Sequence, residues 1–431
     1  MAWRNILFVL ITVSVLDSCK KDGNTGSPTV QIIAPAGNAA FKVFDTIVIK
    51  AHASDAVSLQ SVTVYIVNNQ NIPVLPTAAI PITSNNMSFA CPYLLNDVHL
   101  ATGYYTIVVR AYNGTNATLA YQQIYINAAP LVREGIFVLT RNNSGVHVLK
   151  IDTGSFNVSN LYTYGADYSS SDISSYYQQL YISAADSGSA NTLELPAGSP
   201  AWNIPGLISP TPYFTNVYSY GDAVYVSEYL GFIKYYTHLG IMTNSITVTT
   251  GNYPIKTYVW GSYLLAEEKN IGSLSRNLVL YYTGSGKGFE QAAIPGPVVA
   301  IYGMDNDDIY IFGNQNTGGA YLQLFKISGN IFYSPITLPA GNLLSVTQIN
   351  AQTYLLGFDN GTIYKYTYNP NSIVPFINGV TASHMVYDSA DNEVIASSGK
   401  YVYEYNYASL ALMHTANAQD SVLNVHVLYN K

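Results

Sequence analysis

Phe137-Val138-Leu139-Thr140 runs aromatic, β-branched or Leu, any residue, then small or polar, and this pattern returns five times more and a sixth time in a weaker form that begins with Val394. The copies are Tyr181-Ile182-Ser183-Ala184, Tyr225-Val226-Ser227-Glu228, Tyr263-Leu264-Leu265-Ala266, Tyr310-Ile311-Phe312-Gly313, Tyr354-Leu355-Leu356-Gly357 and Val394-Ile395-Ala396-Ser397. They start 44, 44, 38, 47, 44 and 40 residues apart. Aromatic and β-branched residues favour strands. A period of about 40 residues fits a four-stranded sheet repeated around an axis. A second strand follows each copy across a turn, as in Val148-Leu149-Lys150-Ile151, Ile233-Lys234-Tyr235 and Tyr403-Glu404-Tyr405. Another precedes it, as in Ile255-Lys256-Thr257-Tyr258-Val259-Trp260 and Val298-Val299-Ala300-Ile301-Tyr302. The copy at Phe137 lacks this preceding strand, and Ser421 to Leu428 is a strand of that type with nothing after it. Pairing these two removes two bare sheet edges. The expected fold is therefore all-β, with a seven-bladed β-propeller over residues 133–431 closed by the C-terminal strand. An open β-solenoid is the alternative arrangement of such repeats.

The copies resemble the divergent YVTN/WD40-like propellers of secreted bacterial proteins, although the Gly-His and Trp-Asp signatures are missing. Upstream, residues 28–128 carry short alternating strands such as Thr46-Ile47-Val48-Ile49, Val62 to Val67 and Tyr105 to Val109. That pattern suits a β-sandwich. Ile49 to Asp55 and Leu100 to Ala111 resemble bacterial Ig-like or PKD-like domains. The resemblance implies that Tyr105 caps a strand corner through its hydroxyl, and that the module acts as a spacer.

At the N-terminus Arg4 precedes the apolar run Ile6 to Leu16, which is too short to span a bilayer and suits a signal peptide at residues 1–18. Leu16-Asp17-Ser18-Cys19 resembles the lipobox of bacterial lipoproteins. That likeness implies acylation of Cys19, a lipidated tether over 19–27, and an outer-membrane location on the periplasmic or the surface face. Lys20-Lys21-Asp22 resembles part of the export signal of Bacteroidetes surface lipoproteins.

The 431 residues hold 18 Lys and Arg against 25 Asp and Glu, a net charge of −7 that argues against a nucleic-acid partner. Charged residues are 10% of the chain, so Ser, Thr, Asn, Gln and Tyr must supply its polar surface. The 39 tyrosines alternate in strand patterns and are expected mainly to pack sheets. Cys91 is expected to be a small buried hydrophobe, and His52 an ordinary strand histidine. No hydrolase, zinc-protease, P-loop or quinoprotein motif is present, and no cofactor or metal is expected. Asp305 to Asp308 and Asp388 to Glu393 are expected to be turns, not calcium sites. Glu267-Glu268 is expected to be a solvated turn whose carboxylates point apart.

A binding role remains. Loops entering the innermost strands and hairpins on the same face are expected to bring together Arg141, Tyr213, Phe214, Glu228, Tyr253, Glu267, Asn314 and Asp359. In this reading Tyr213, Phe214 and Tyr253 stack on a ligand, while Arg141, Glu228 and Asp359 select its polar groups. The expected function is a non-catalytic envelope lipoprotein binding a glycan or a protein. A scaffold subunit of an envelope complex and an uncharacterised propeller lyase or hydrolase are the alternatives.

Overall fold

A computed structural model describes residues 26–186, 188–207 and 212–431. The signal peptide, Cys19 and most of the tether lie outside the described residues. Every described regular element is a β-strand. The chain divides into two compact units, one running through Pro130 and the other spanning Leu131–Lys431.

In the first unit a three-stranded sheet (Thr29–Ala34, Thr46–Ser54, Asn86–Leu94) and a five-stranded sheet (Ala39–Lys42, Ala117–Asn127, Gly103–Tyr112, Ser61–Val67, Ala78–Ile80) share one core. Thr46–Ser54 alternates exposed and buried residues along most of its length, so Ile47, Ile49, Ala51 and Ala53 enter that core from one face. Cys91 is buried in the same core. The Tyr105 hydroxyl donates to the Ala101 carbonyl at 3.0 Å, which closes the corner before its strand. His52 lies on Thr46–Ser54, with its Nδ1 3.0 Å from the Ser88 hydroxyl.

The described residues of the second unit form seven antiparallel sheets, numbered here by their innermost strands. These strands are Ser170–Ser174, Phe214–Tyr220, Asn252–Trp260, Val298–Gly303, Leu343–Asn350, His384–Asp388 and Ser421–Tyr429. In sheets one to six the next strand outward follows in sequence and carries the aromatic run. In sheet seven the innermost strand Ser421–Tyr429 pairs with Arg133–Asn142 from the start of the unit, matching Val425 to Val138 and Val427 to Ile136. Each innermost strand touches the next, and Ser421–Tyr429 returns to touch Ser170–Ser174. The hydrophobic clusters lie between neighbouring sheets. In one of them Tyr310 and Phe312 of sheet four pack on Tyr354, Leu356 and Tyr366 of sheet five. Tyr181, Tyr310, Tyr321, Tyr354 and Tyr366 are among the largest fully buried side chains, so much of the tyrosine serves packing.

Neutral side chains join the innermost strands. The Val217 amide donates to the Ser170 hydroxyl at 2.6 Å, and Asn216 donates to Thr257 at 2.9 Å. The Gly303 amide donates to the Tyr258 hydroxyl at 3.0 Å, and the Tyr302 hydroxyl to the Val346 carbonyl at 2.8 Å. Ser345 donates to the Ala382 carbonyl at 2.6 Å, and Asn424 to the Ser171 hydroxyl at 3.1 Å. A hydroxyl or amide buried this way is satisfied without the desolvation cost of an ion.

Candidate binding site at the channel mouth

Five of the seven innermost strands slip register by one residue near the same end. The slips fall between Phe214 and Asn216, Pro254 and Lys256, Val298 and Ala300, Leu343 and Ser345, and Val422 and Asn424. A bulge leaves the extra residue unpaired and re-aims its side chain. The five extra residues are Thr215, Ile255, Val299, Leu344 and Leu423. All five line a cavity of about 560 Å³ where the channel opens, and every sheet contributes to its wall.

Polar groups stand beside this largely apolar collar. Ser169, Ser170 and Ser171 come from the first sheet and its approach, Asn216 from the second, Lys256 from the third, Ser383 and His384 from the sixth, and Asn424 from the seventh. No Asp or Glu appears among the described lining residues. Burial, helped by Lys256, pushes the His384 imidazole down to about 4, so it is neutral at pH 7. Beside the channel His426 is pushed to about 3 by burial and by His384, and its Nε2 lies 2.8 Å from the Ser171 hydroxyl. Recesses of about 550 and 690 Å³ also occur, but each lies between only two neighbouring sheets.

The side chains expected at a binding face are mostly used elsewhere. Phe214 is fully buried and Tyr213 nearly so. Their rings meet edge to face at 4.6 Å within a cluster that includes Tyr181, Val224 and Tyr236, so neither offers a stacking surface. Burial, reinforced by Glu228, pushes the Tyr213 phenol up to about 12. Glu228 is itself buried, with Lys234 Nζ 2.8 Å away.

Glu267-Glu268 is not a solvated turn. Both residues lie on Tyr263–Asn270 and are fully buried. Glu267 pairs with Arg276, while Glu268 accepts from the Tyr281 hydroxyl and the Asn252 amide. Opposite faces give them different partners, as the alternation of a strand requires. Buried partners, invisible in the local sequence, turn this acidic pair into structure.

Asn314 exchanges two 2.8 Å hydrogen bonds with the Leu343 backbone. Asp359 holds the Asn342 amide at 3.0 Å and its side chain at 2.9 Å. Both therefore fasten one sheet's hairpin to the entrance of an innermost strand. Arg141 is exposed near the end of Arg133–Asn142, and Tyr253 is half-buried with its ring 4.5 Å from Tyr229. None of these eight residues lines the mouth. Of the loop before Tyr213, Ser209 to Thr211 lie outside the described residues. The Asp305 carboxylate accepts the Asp307 and Asp308 amides at 2.8 Å, which makes a turn.

Sequence reasoning missed Lys256, His384, Asn424 and the bulged positions. A signal existed in Val298-Val299, Leu343-Leu344 and Val422-Leu423, where two adjacent apolar residues break the alternation of a strand.

Residues 28–109 match the family model described as a bacterial Ig domain. A search of curated proteins returned no match. Among solved structures, Kuenenia stuttgartiensis hydrazine synthase is similar at 14% identity, over 67% of this chain and 97% of that chain, with a TM-score of 0.48. The computationally designed Ika8 protein is similar at 11% identity, over 69% and 97%, with a TM-score of 0.49. A chain of the mitotic checkpoint complex is similar at 9% identity, over 58% and 78%, with a TM-score of 0.48.

Proposed function

We propose that the chain is a non-catalytic envelope lipoprotein, anchored through acylated Cys19, whose propeller-like unit binds a glycan at the channel mouth. The Ig-like unit serves as its spacer. The observation that carries this reading is the lining of the 560 Å³ cavity, where hydroxyls, amides and a neutral imidazole stand beside bulged aliphatic residues. A sugar presents the same mixture, with hydroxyls at its rim and C–H groups on its faces. The lining supplies donors and acceptors without a carboxylate pair, which favours binding over glycoside hydrolysis.

Leu344 tests the site because it is partly exposed and stands in the collar. Leu344→Asp is expected to leave the melting temperature nearly unchanged and to abolish binding to the oligosaccharide that stabilises the wild type. A saturating ligand at a hundred times its Kd adds about 2.7 kcal/mol of stability, which a thermal-shift screen reads directly. Undiminished binding by the variant removes the mouth from consideration.

A scaffold role is the second reading. Leu239, Ile241 and Met242 stand exposed where the outer strand of sheet two begins, a surface suited to a protein partner. Recovery of no stoichiometric partner from membranes would count against it.

A further inference from the structure

We propose that the mouth takes a carboxylate-bearing sugar, a uronate unit of an acidic glycan, with the carboxylate received by the Lys256 ammonium. This deepens the glycan-binding reading and rests on it. The argument begins with charge. Lys256 and Glu267 are register partners on neighbouring strands of sheet three, yet Glu267 is engaged by Arg276. The Lys256 ammonium instead donates to the Val299 carbonyl, the backbone of a bulged residue on the next sheet. Among the described residues no carboxylate oxygen lies within the 4.0 Å of an ion pair from its Nζ. An ammonium has three donors, and this carbonyl occupies one.

The group of Lys256, Arg276 and Glu267 therefore carries one excess positive charge, and Lys256 is its member on the cavity wall. Burial pushes the Lys256 amine below the usual lysine range, against the pull of Glu267. An anion arriving beside it compensates a charge that the fold leaves partly desolvated. His384, also on the wall, is neutral, so among the described residues the lining holds one cation. One excess charge matches a carboxylate better than a dianionic phosphate. Asn216, which has donor and acceptor capacity beyond its bond to Thr257, suits the remaining hydroxyls, while Ile255, Val299, Leu344 and Leu423 suit the face of a pyranose ring.

The test titrates the full chain with oligomers of galacturonate, glucuronate and mannuronate, each against its neutral hexose counterpart and its methyl ester. The expected result is that at least one uronate binds about tenfold or more tighter than both uncharged forms. Lys256→Met is expected to erase that preference. It should melt no lower than the wild type, because it removes an uncompensated buried charge; a lysine kept only to brace Val299 would give a lower melting temperature. The methyl esters make the same test from the ligand side if the variant does not fold. Equal binding of uronate, ester and neutral oligomer overturns the carboxylate inference and leaves the mouth as a glycan site. Binding of none of them overturns both readings.

Discussion

Asp172, on the innermost strand of sheet one but outside the cavity lining, shows how one side chain can set a pH response. Its carboxylate accepts the Ser219 amide from the next sheet at 2.6 Å and the Ile173 amide at 2.9 Å. Burial outweighs those bonds and raises it from 3.8 to about 6. A raised carboxyl binds its proton more tightly in the folded state. The associated stability is therefore full below about pH 4 and is lost as pH rises through about 6. Within that window one such group changes unfolding free energy by up to about 1.4 kcal/mol per pH unit. Urea melts at pH 4 and pH 7 should show Asp172→Asn gaining on the wild type at the higher pH. A constant difference between the two proteins would mean that Asp172 keeps an ordinary carboxyl. In sequence this residue is an unremarkable polar position in Ser170-Ser171-Asp172, because the amide that fixes its role lies 47 residues away.

At the scale of the strand, the sequence was legible where alternation is regular and obscure where a bulge interrupts it. The aromatic runs beginning at Phe137, Tyr181, Tyr225, Tyr263, Tyr310, Tyr354 and Val394 all lie in the second strand from the channel. Their periodicity reports burial on both faces, which composition alone can signal. The site was harder to read. Strand ends near the channel were expected to present charge and rings to a ligand, but Glu228, Tyr213 and Phe214 are buried. A long-range partner or a neighbouring sheet decides exposure at such positions, and neither is written locally. Asn314 is the clearest example, since both of its bonds go to Leu343. Asn314→Ala is expected to cost about 1–2 kcal/mol in urea unfolding, by leaving a buried amide and carbonyl without partners. Ligand affinity should be unchanged. A stable variant with impaired binding would restore Asn314 to the binding face.

At the scale of the whole propeller-like unit, Arg133 joins the beginning of the second unit to its last repeat. Its Nη1 lies 3.0 Å from Asp388, 2.9 Å from Glu393 and 2.6 Å from Glu404. Burial and the neighbouring Glu404 hold the Glu393 carboxyl above the usual range. Asp388 to Glu393 does contain a turn, as expected, but its flanking carboxylates also receive this guanidinium. Arg133→Met is expected to destabilise the second unit by about 3–5 kcal/mol, because it strands buried carboxylates without their cation. Calorimetry should show the first unit's transition unmoved. A loss below about 1 kcal/mol would place this cluster among weak surface pairs.

The pairing of Ser421–Tyr429 with Arg133–Asn142 also governs the order of events in folding. Phe137 and Leu139 are fully buried on the strand that pairs with the last one, so the earliest strand of this unit waits for the latest to complete its pairing. Such high contact order slows the final step and leaves a sticky edge open in the meantime. During synthesis the unit stays incomplete until nearly all of it has emerged, so its first strand spends that interval with an unpaired edge.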